Sequence, residues 1–153
     1  MLALRTLAVS LLVILCMQAV AKETIKCTMK EKFRNGGSRD TELELSVENE
    51  RVVSLSFSNG FSSGREGGGG ACFFDASRTE PAQSVWNDSG DRIDIVVNDE
   101  KNDDRKSKLQ IVKIKNGYQV NFMDMRTRYC GFAAEFPHTV QLVRGNAKCA
   151  AKY

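Results

Sequence analysis

Apolar residues in this chain recur at every second position, and few patterns restrict folding more. Leu43, Leu45 and Val47 alternate with Glu42, Glu44 and Ser46; Val53, Leu55 and Phe57 alternate with serines; Ile93, Ile95 and Val97 keep the same rule. A period of two puts the apolar set on one face of a strand and the polar set on the other, so these segments read as half-buried strands. Leu109 to Ile114 is denser, with Leu109 and Ile111 on one face and Val112 and Ile114 on the other, as in a central strand. Asn116-Gly117 then offers the two positive-φ residues of a type I′ turn, and Tyr118, Val120 and Phe122 begin the return strand. Further short strands are expected over Thr24 to Met29, Ala71 to Phe74, Arg128 to Phe132 and Thr139 to Val143. Asn35-Gly36-Gly37, Glu48-Asn49-Glu50, Asn87 to Gly90 and the polar run Asn98 to Lys106 punctuate them. No segment sustains a helical period with caps. The expectation is an all-β fold, a small antiparallel β-barrel or sandwich stapled by two disulfides, formed by residues 22–153 as a single domain.

Residues 1–21 are set apart from that domain. Arg5 is a lone positive charge, Thr6 to Met17 is almost wholly apolar, and Ala19-Val20-Ala21 is an A-x-A cleavage pattern, which together read as a secretory signal peptide with Lys22 as the first mature residue. The apolar run is shorter than the roughly 20 residues that span a bilayer, so no stable membrane insertion is expected. Cys16 follows Leu15 rather than a small residue, which argues against lipidation. The expected location is periplasmic or secreted. Cys27, Cys72, Cys130 and Cys149 remain, an even number that in an exported chain means two disulfides with three possible connectivities; the pairs expected are Cys130 with Cys149 and Cys27 with Cys72. No C-x-x-C pair exists and His138 is the only histidine, so no metal or other cofactor is expected. Removing Arg5 lowers the formal net charge from +3 to about +2, with no dense basic stripe, which excludes a general nucleic-acid binder.

The most unusual stretch is Gly60 to Gly70, with six glycines among eleven residues. Gly60-Phe61-Ser62-Ser63-Gly64 matches the G-x-S-x-G nucleophile pattern, which works where a strand turns sharply into a helix. Here the glycines that follow oppose a helix at roughly 1 kcal/mol each, so no enzyme is expected. Phosphate binding fails too, because Gly70 is followed by Ala71-Cys72 rather than by Lys and Ser or Thr. The acidic run Asp99 to Asp104 lacks the glycine and spaced glutamate of a calcium loop and reads as a solvated hairpin tip. The glycine loop instead carries Arg65 and Glu66 at its tip and Phe61 and Phe73 near its base, and long loops in compact domains are commonly functional. A tethered, polar-tipped loop on a rigid scaffold suits entry into a concave site on another protein. Arg126, Arg128 and Tyr129 read two ways: a basic, aromatic edge facing a partner, or the charged outer face of an edge strand that blocks aggregation.

Ser63-Gly64-Arg65-Glu66 matches the first part of a Ser-Gly-x-x-Tyr loop motif, with Gly67 standing where the tyrosine belongs. The closing stretch from Tyr129-Cys130-Gly131-Phe132 to Cys149 has the character of disulfide-tied C-terminal strands. In these features the chain resembles the bacterial periplasmic and membrane-associated inhibitors of c-type lysozyme, exported antiparallel β-barrels that insert this loop into the lysozyme cleft. The resemblance implies partner-binding roles for Ser62, Ser63, Gly64, Arg65, Glu66, Arg126 and Arg128, and a protein target, a host or competitor lysozyme-like enzyme. A lysozyme site holds a protonated acid and an ionised carboxylate; Ser63 would engage the first and Arg65 the second. A chain at about +2 gains no long-range attraction to a basic target, so binding would rest on local fit. An immunity protein against an imported cell-wall toxin, a structural envelope module with a merely mobile loop, and a homodimer through an edge strand stay open at this point.

Overall fold

The computed structural model describes residues 21–64, 67–98, 106–125, 127–131 and 134–153. Residues 1–20 of the expected signal peptide, Arg65, Glu66, Arg126 and the run Asp99 to Asp104 lie outside them. Four long strands, β1 (Lys22–Lys32), β2 (Ser38–Glu48), β3 (Arg51–Ser62) and β4 (Gly69–Ser77), form one antiparallel meander. The strands β5 (Ser84–Ser89), β6 (Arg92–Val97), β7 (Ser107–Ile114), β8 (Gly117–Asp124), β9 (Thr139–Val143) and β10 (Ala150–Lys152) form a second antiparallel sheet, laid out in reverse sequence order from β10 to β5. The period-two residues close the space between the sheets: Leu43, Leu45, Leu55, Phe57 and Phe74 meet Ile95, Leu109, Ile111, Val120 and Leu142 in one core. Phe57 packs on Phe122 at 4.7 Å between ring centroids and on Phe136 at 5.3 Å. The sheets do not join into a barrel, so of the two expected architectures the sandwich is the one formed.

Edge strands left open would pair with other chains, and here the disulfides cover them. At β1, Thr28 N donates to Ala147 O and Cys149 N to Thr28 O, and Cys27 bonds Cys149. At β4, Gly131 N donates to Ala71 O, and Cys72 bonds Cys130. The expected pairs, Cys27 with Cys72 and Cys130 with Cys149, are therefore wrong. Cys27 and Cys72 sit on the two opposite edges of the same sheet, separated by β2 and β3, and only the folding of the second sheet's connections onto those edges decides each partner.

Several turns differ from the expectation. The β7–β8 hairpin forms, but its two-residue connection is Lys115-Asn116, with Ile114 paired to Gly117. Gly117 stands in the strand because a side chain there would overlap the carbonyl oxygen of Leu142 on β9. The turn with two positive φ angles is instead Asn49-Glu50, at 49° and 64°, between the paired Glu48 and Arg51. A register shift beside that turn brings Val52 rather than Val53 into the core. Asn87 to Ser89, expected as a turn, belongs to β5, and Arg128 to Phe132, expected as a strand, begins as a 3-10 turn over Thr127–Tyr129. The tether to Cys72 sets the latter locally, overriding its propensity.

At the end of the sandwich away from the glycine loop, Arg78 holds the sheets together. Its Nε donates to Val52 O at 2.7 Å, its guanidinium lies 4.7 Å from the Trp86 ring, and it pairs with Asp88 on β5. Arg51 Nε donates to the same carboxylate at 3.0 Å. Burial pulls the Asp88 pKa up, but the bonds and charges of Arg78 and Arg51 outweigh it and hold the group below the usual carboxylate value. A carboxylate whose folded pKa is depressed stabilises the fold above its unfolded pKa and loses that contribution as pH falls through the folded value. Thermal stability is thus expected to decline below about pH 4, and Asp88→Asn to flatten that decline. Parallel melting-temperature profiles for the two proteins between neutral and strongly acid pH would rule this out.

Candidate functional site

The strands of the first sheet run 9 to 12 residues and those of the second 3 to 8, so the inner face of the first continues past the shared core. Parity carries Thr41 and Arg39 of β2 onto that face beyond Leu43, and Asn59 and Phe61 of β3 beyond Phe57. Arg39 is the centre of this end. Its guanidinium stacks 3.5 Å from the Tyr153 ring, lies 5.6 Å from Phe33 and 5.9 Å from Phe61, donates to Glu135 at 3.3 Å and forms an ion pair with Glu31 at 3.7 Å. The Tyr153 hydroxyl and Thr41 Oγ1 are 2.7 Å apart, Thr41 bonds Asn59 Oδ1, and Asn59 Nδ2 donates to the Glu135 carbonyl at 2.8 Å. Burial pushes the Tyr153 hydroxyl pKa up, so the group stays a neutral hydrogen-bonding partner. Beside Glu135 an open, largely apolar cleft of about 200 Å³ is lined by Phe122, Met125, Cys130, Ala134 and Phe136.

Above this base stand two hairpin tips, residues 33–37 between β1 and β2 and residues 63–68 between β3 and β4. Ser63 N and Ser63 Oγ both donate to Gly68 O at 2.7 Å, and Gly67 N donates to Gly64 O at 3.1 Å, so the glycine loop is a closed, hydrogen-bonded tip. Gly64 takes φ of +88°, and a Cβ there would stand 2.7 Å from Asn35 O and 2.8 Å from Gly37 N. In the other tip, Phe33 N donates to Gly37 O, and Asn35 Oδ1 accepts from Gly37 N at 3.0 Å. The two tips pack backbone against backbone, which only glycine permits at that approach. Part of the glycine content therefore makes contact rather than slack.

The expected site residues divide accordingly. Ser62 ends β3, and Ser63 and Gly64 form the braced tip. The strand enters a hairpin to β4, so the strand-to-helix elbow that a G-x-S-x-G nucleophile requires is not formed. Arg128 is exposed, stacked 4.9 Å from the Tyr129 ring, and Tyr129 lies edge-on to Phe74. The Cys72–Cys130 bond and the Gly131-to-Ala71 hydrogen bond bring this segment alongside the base of the glycine hairpin. Arg39, Phe33, Glu135 and Tyr153 went unnoticed in the sequence, although extending the two-residue parity past Leu43 and Phe57 would have turned Arg39 and Phe61 inward.

Fold and site define a disulfide-stapled antiparallel β-sandwich with two hydrogen-bonded hairpins in contact at one end and no helix of membrane-spanning length among the described residues. Two disulfides suit an oxidising compartment. The chain matches no protein-family model, and no curated protein or solved structure matches it.

Proposed function

We propose that this protein is an exported inhibitor of a peptidoglycan-degrading enzyme of the c-type lysozyme kind, which inserts the 63–68 tip into the enzyme's active-site cleft. The observation that carries the reading is the bracing of that tip on residues 35–37. A protrusion whose described flanks, Ser63-Gly64 and Gly67-Gly68, are already hydrogen-bonded to each other loses less conformational entropy on entering a cleft, which is how a small contact gains affinity. Ser63 suits the role: its hydroxyl donates inward to Gly68 O and keeps its lone pairs to accept from a protonated catalytic acid. Arg65 at the tip supplies the cation for the ionised carboxylate. Phe61, Phe33 and Arg39 form the base beneath, the residue types that anchor interfaces.

The test is cell-wall clearing by purified c-type lysozyme in the presence of the oxidised protein and of its Ser63→Ala/Arg65→Ala variant. The wild type is expected to inhibit, and the double variant to lose at least about a hundredfold in potency, the loss of one charge-assisted contact and one neutral hydrogen bond, while keeping a cooperative unfolding transition. Absence of inhibition by the wild type at micromolar concentrations would remove the lysozyme reading.

A further inference from the structure

The two outer faces of the sandwich are covered by different chemistry. On the first sheet the wet face is ordinary: Lys26 pairs with Glu42 at 2.7 Å and Glu44 at 3.8 Å, Lys22 with Glu48, and Lys30 with Asp40. Cross-strand ion pairs of this kind are how an exposed sheet face is usually finished. On the second sheet, across β6 to β9, a chain of amides replaces them. Gln141 Nε2 donates to Gln119 Oε1 at 2.8 Å, Gln119 Nε2 to Asn121 Oδ1 at 2.8 Å, Asn121 Nδ2 to Gln110 Oε1 at 3.2 Å, and Gln110 Nε2 to Asp94 Oδ1 at 2.8 Å. Thr139 Oγ1 also donates to Asn121 Oδ1, and Arg92 closes the far end on Asp94 at 3.1 Å.

This row is oriented, each amide donating the same way, and every side chain in it is only half-buried. A carboxamide has two N–H donors, so each of the four amides spends one along the row and presents a second. Because the side chains hold one another, they are ordered before anything binds. In a chain with 27% charged residues, the stretch of this face formed by Gln110, Gln119, Asn121, Thr139 and Gln141 carries none among the described residues, with Lys108 beyond it on β7. Charge depletion marks the middle of binding surfaces. A protein partner would want an aromatic or apolar anchor at the centre, and a nucleic acid would want unpaired cations. The row itself is built of amides and one paired carboxylate; the exposed apolar side chains of this sheet, Met123 and Val85, stand outside it. Its complement is an uncharged, hydroxyl-rich and amide-bearing chain. Neighbouring strands lie about 4.8 Å apart, close to the length of one sugar residue in an extended glycan, so successive sugars would meet successive strands.

We propose that the Asp94–Gln110–Asn121–Gln119–Gln141 row on the outer face of the second sheet binds an extended, uncharged glycan of N-acetylated hexosamines lying across β6 to β9. The site lies on the second sheet, whereas the hairpin tips belong to the first, and it stands or falls independently of the inhibitor reading.

The test is a nitrogen-edited NMR titration of the oxidised protein with the hexamer of N-acetylglucosamine. The side-chain amide signals of Gln110, Gln119, Asn121 and Gln141 are expected to shift together with millimolar or tighter affinity. Gln119→Lys, which breaks the row and places a charge at its centre, is expected to weaken binding by about tenfold or more. Because a lysine is readily accommodated on an exposed strand face, retained spectral dispersion would confirm the fold; Glu42→Gln on the opposite face serves as a second variant that should bind like wild type. No shift up to the solubility of the oligosaccharide, or shifts confined to the first sheet or the 63–68 tip, would overturn the proposal.

Discussion

Replacing Cys27 and Cys149 together by alanine is expected to lower unfolding stability by about 4 kcal/mol. The two cysteines are 122 residues apart, and the second disulfide, between residues 58 apart, is nested inside that span. Nesting shortens the free loop that the outer bond closes, which is why the expectation falls a little below what the full span would give in the chain-entropy model. Both cysteines are also buried, at 1% and 9% exposure, so the loss includes packing at the β1 edge. Urea unfolding measures the stability. Thiol titration of residues 22–153, which leave out Cys16, measures the connectivity under denaturing conditions: Cys27→Ala/Cys149→Ala should present no free thiol, because Cys72 and Cys130 remain bonded. Cys27→Ala/Cys72→Ala should strand two cysteines that belong to different bonds. Free thiols in the first variant and none in the second would establish the sequential pairing instead.

That experiment bears on what the sequence discloses and what it hides. Alternation of apolar residues is a local property, and it located most strands; β9 was legible to the residue over Thr139–Val143. It failed where a strand buries little. β5 buries Ser84 and half-buries Trp86 and otherwise exposes Val85, Asn87, Asp88 and Ser89, the last three of which read as a turn. Turn chemistry misled in a second way. Gly117 looked like a dihedral requirement and is a clearance requirement, since the β9 backbone passes too close for a side chain. Glu50, with no turn signature of its own, occupies left-handed backbone because the Glu48–Arg51 pairing leaves two residues to reverse the chain.

The same division holds at the candidate site. Ser63 and Gly64 were legible as a loop because composition alone marks them, but the glycine-rich stretch is shorter than its composition suggests: Gly60 to Ser62 belong to β3 and Gly69 and Gly70 to β4. Arg39 was not, because an arginine after a charged turn reads as surface. Its side chain is only 13% exposed, enclosed by Phe33, Phe61 and Tyr153, the last from the far end of the chain. Disulfide pairing and the Arg39 cluster share a cause: both depend on which segments of the two sheets meet, and no local period encodes that.

Gly64→Ala and Gly67→Ala separate a braced tip from a merely glycine-rich one. Both residues have left-handed backbone, at φ of +88° and +71°, so both substitutions carry the same strain of about 1 kcal/mol. They differ in surroundings. A Cβ at Gly67 meets nothing within 4 Å, whereas at Gly64 it meets Asn35 O, Gly37 N and Gly36 C, all within 2.9 Å. These are backbone atoms, which no side-chain rotation can move aside. Gly64→Ala must push the 63–68 tip off residues 35–37, and is expected to cost about 2–3 kcal/mol in total, against about 1 for Gly67→Ala. If pre-organisation is what gives the tip its affinity, inhibition should fall at least about tenfold further in Gly64→Ala than in Gly67→Ala, with neither substitution removing the Ser63 hydroxyl or the Arg65 guanidinium. Equal losses in the two variants would mean that glycine flexibility rather than bracing governs binding. Unchanged inhibition in both would take the tip out of the cleft altogether, and leave the Arg39 end and the adjoining apolar cleft as the surface to probe.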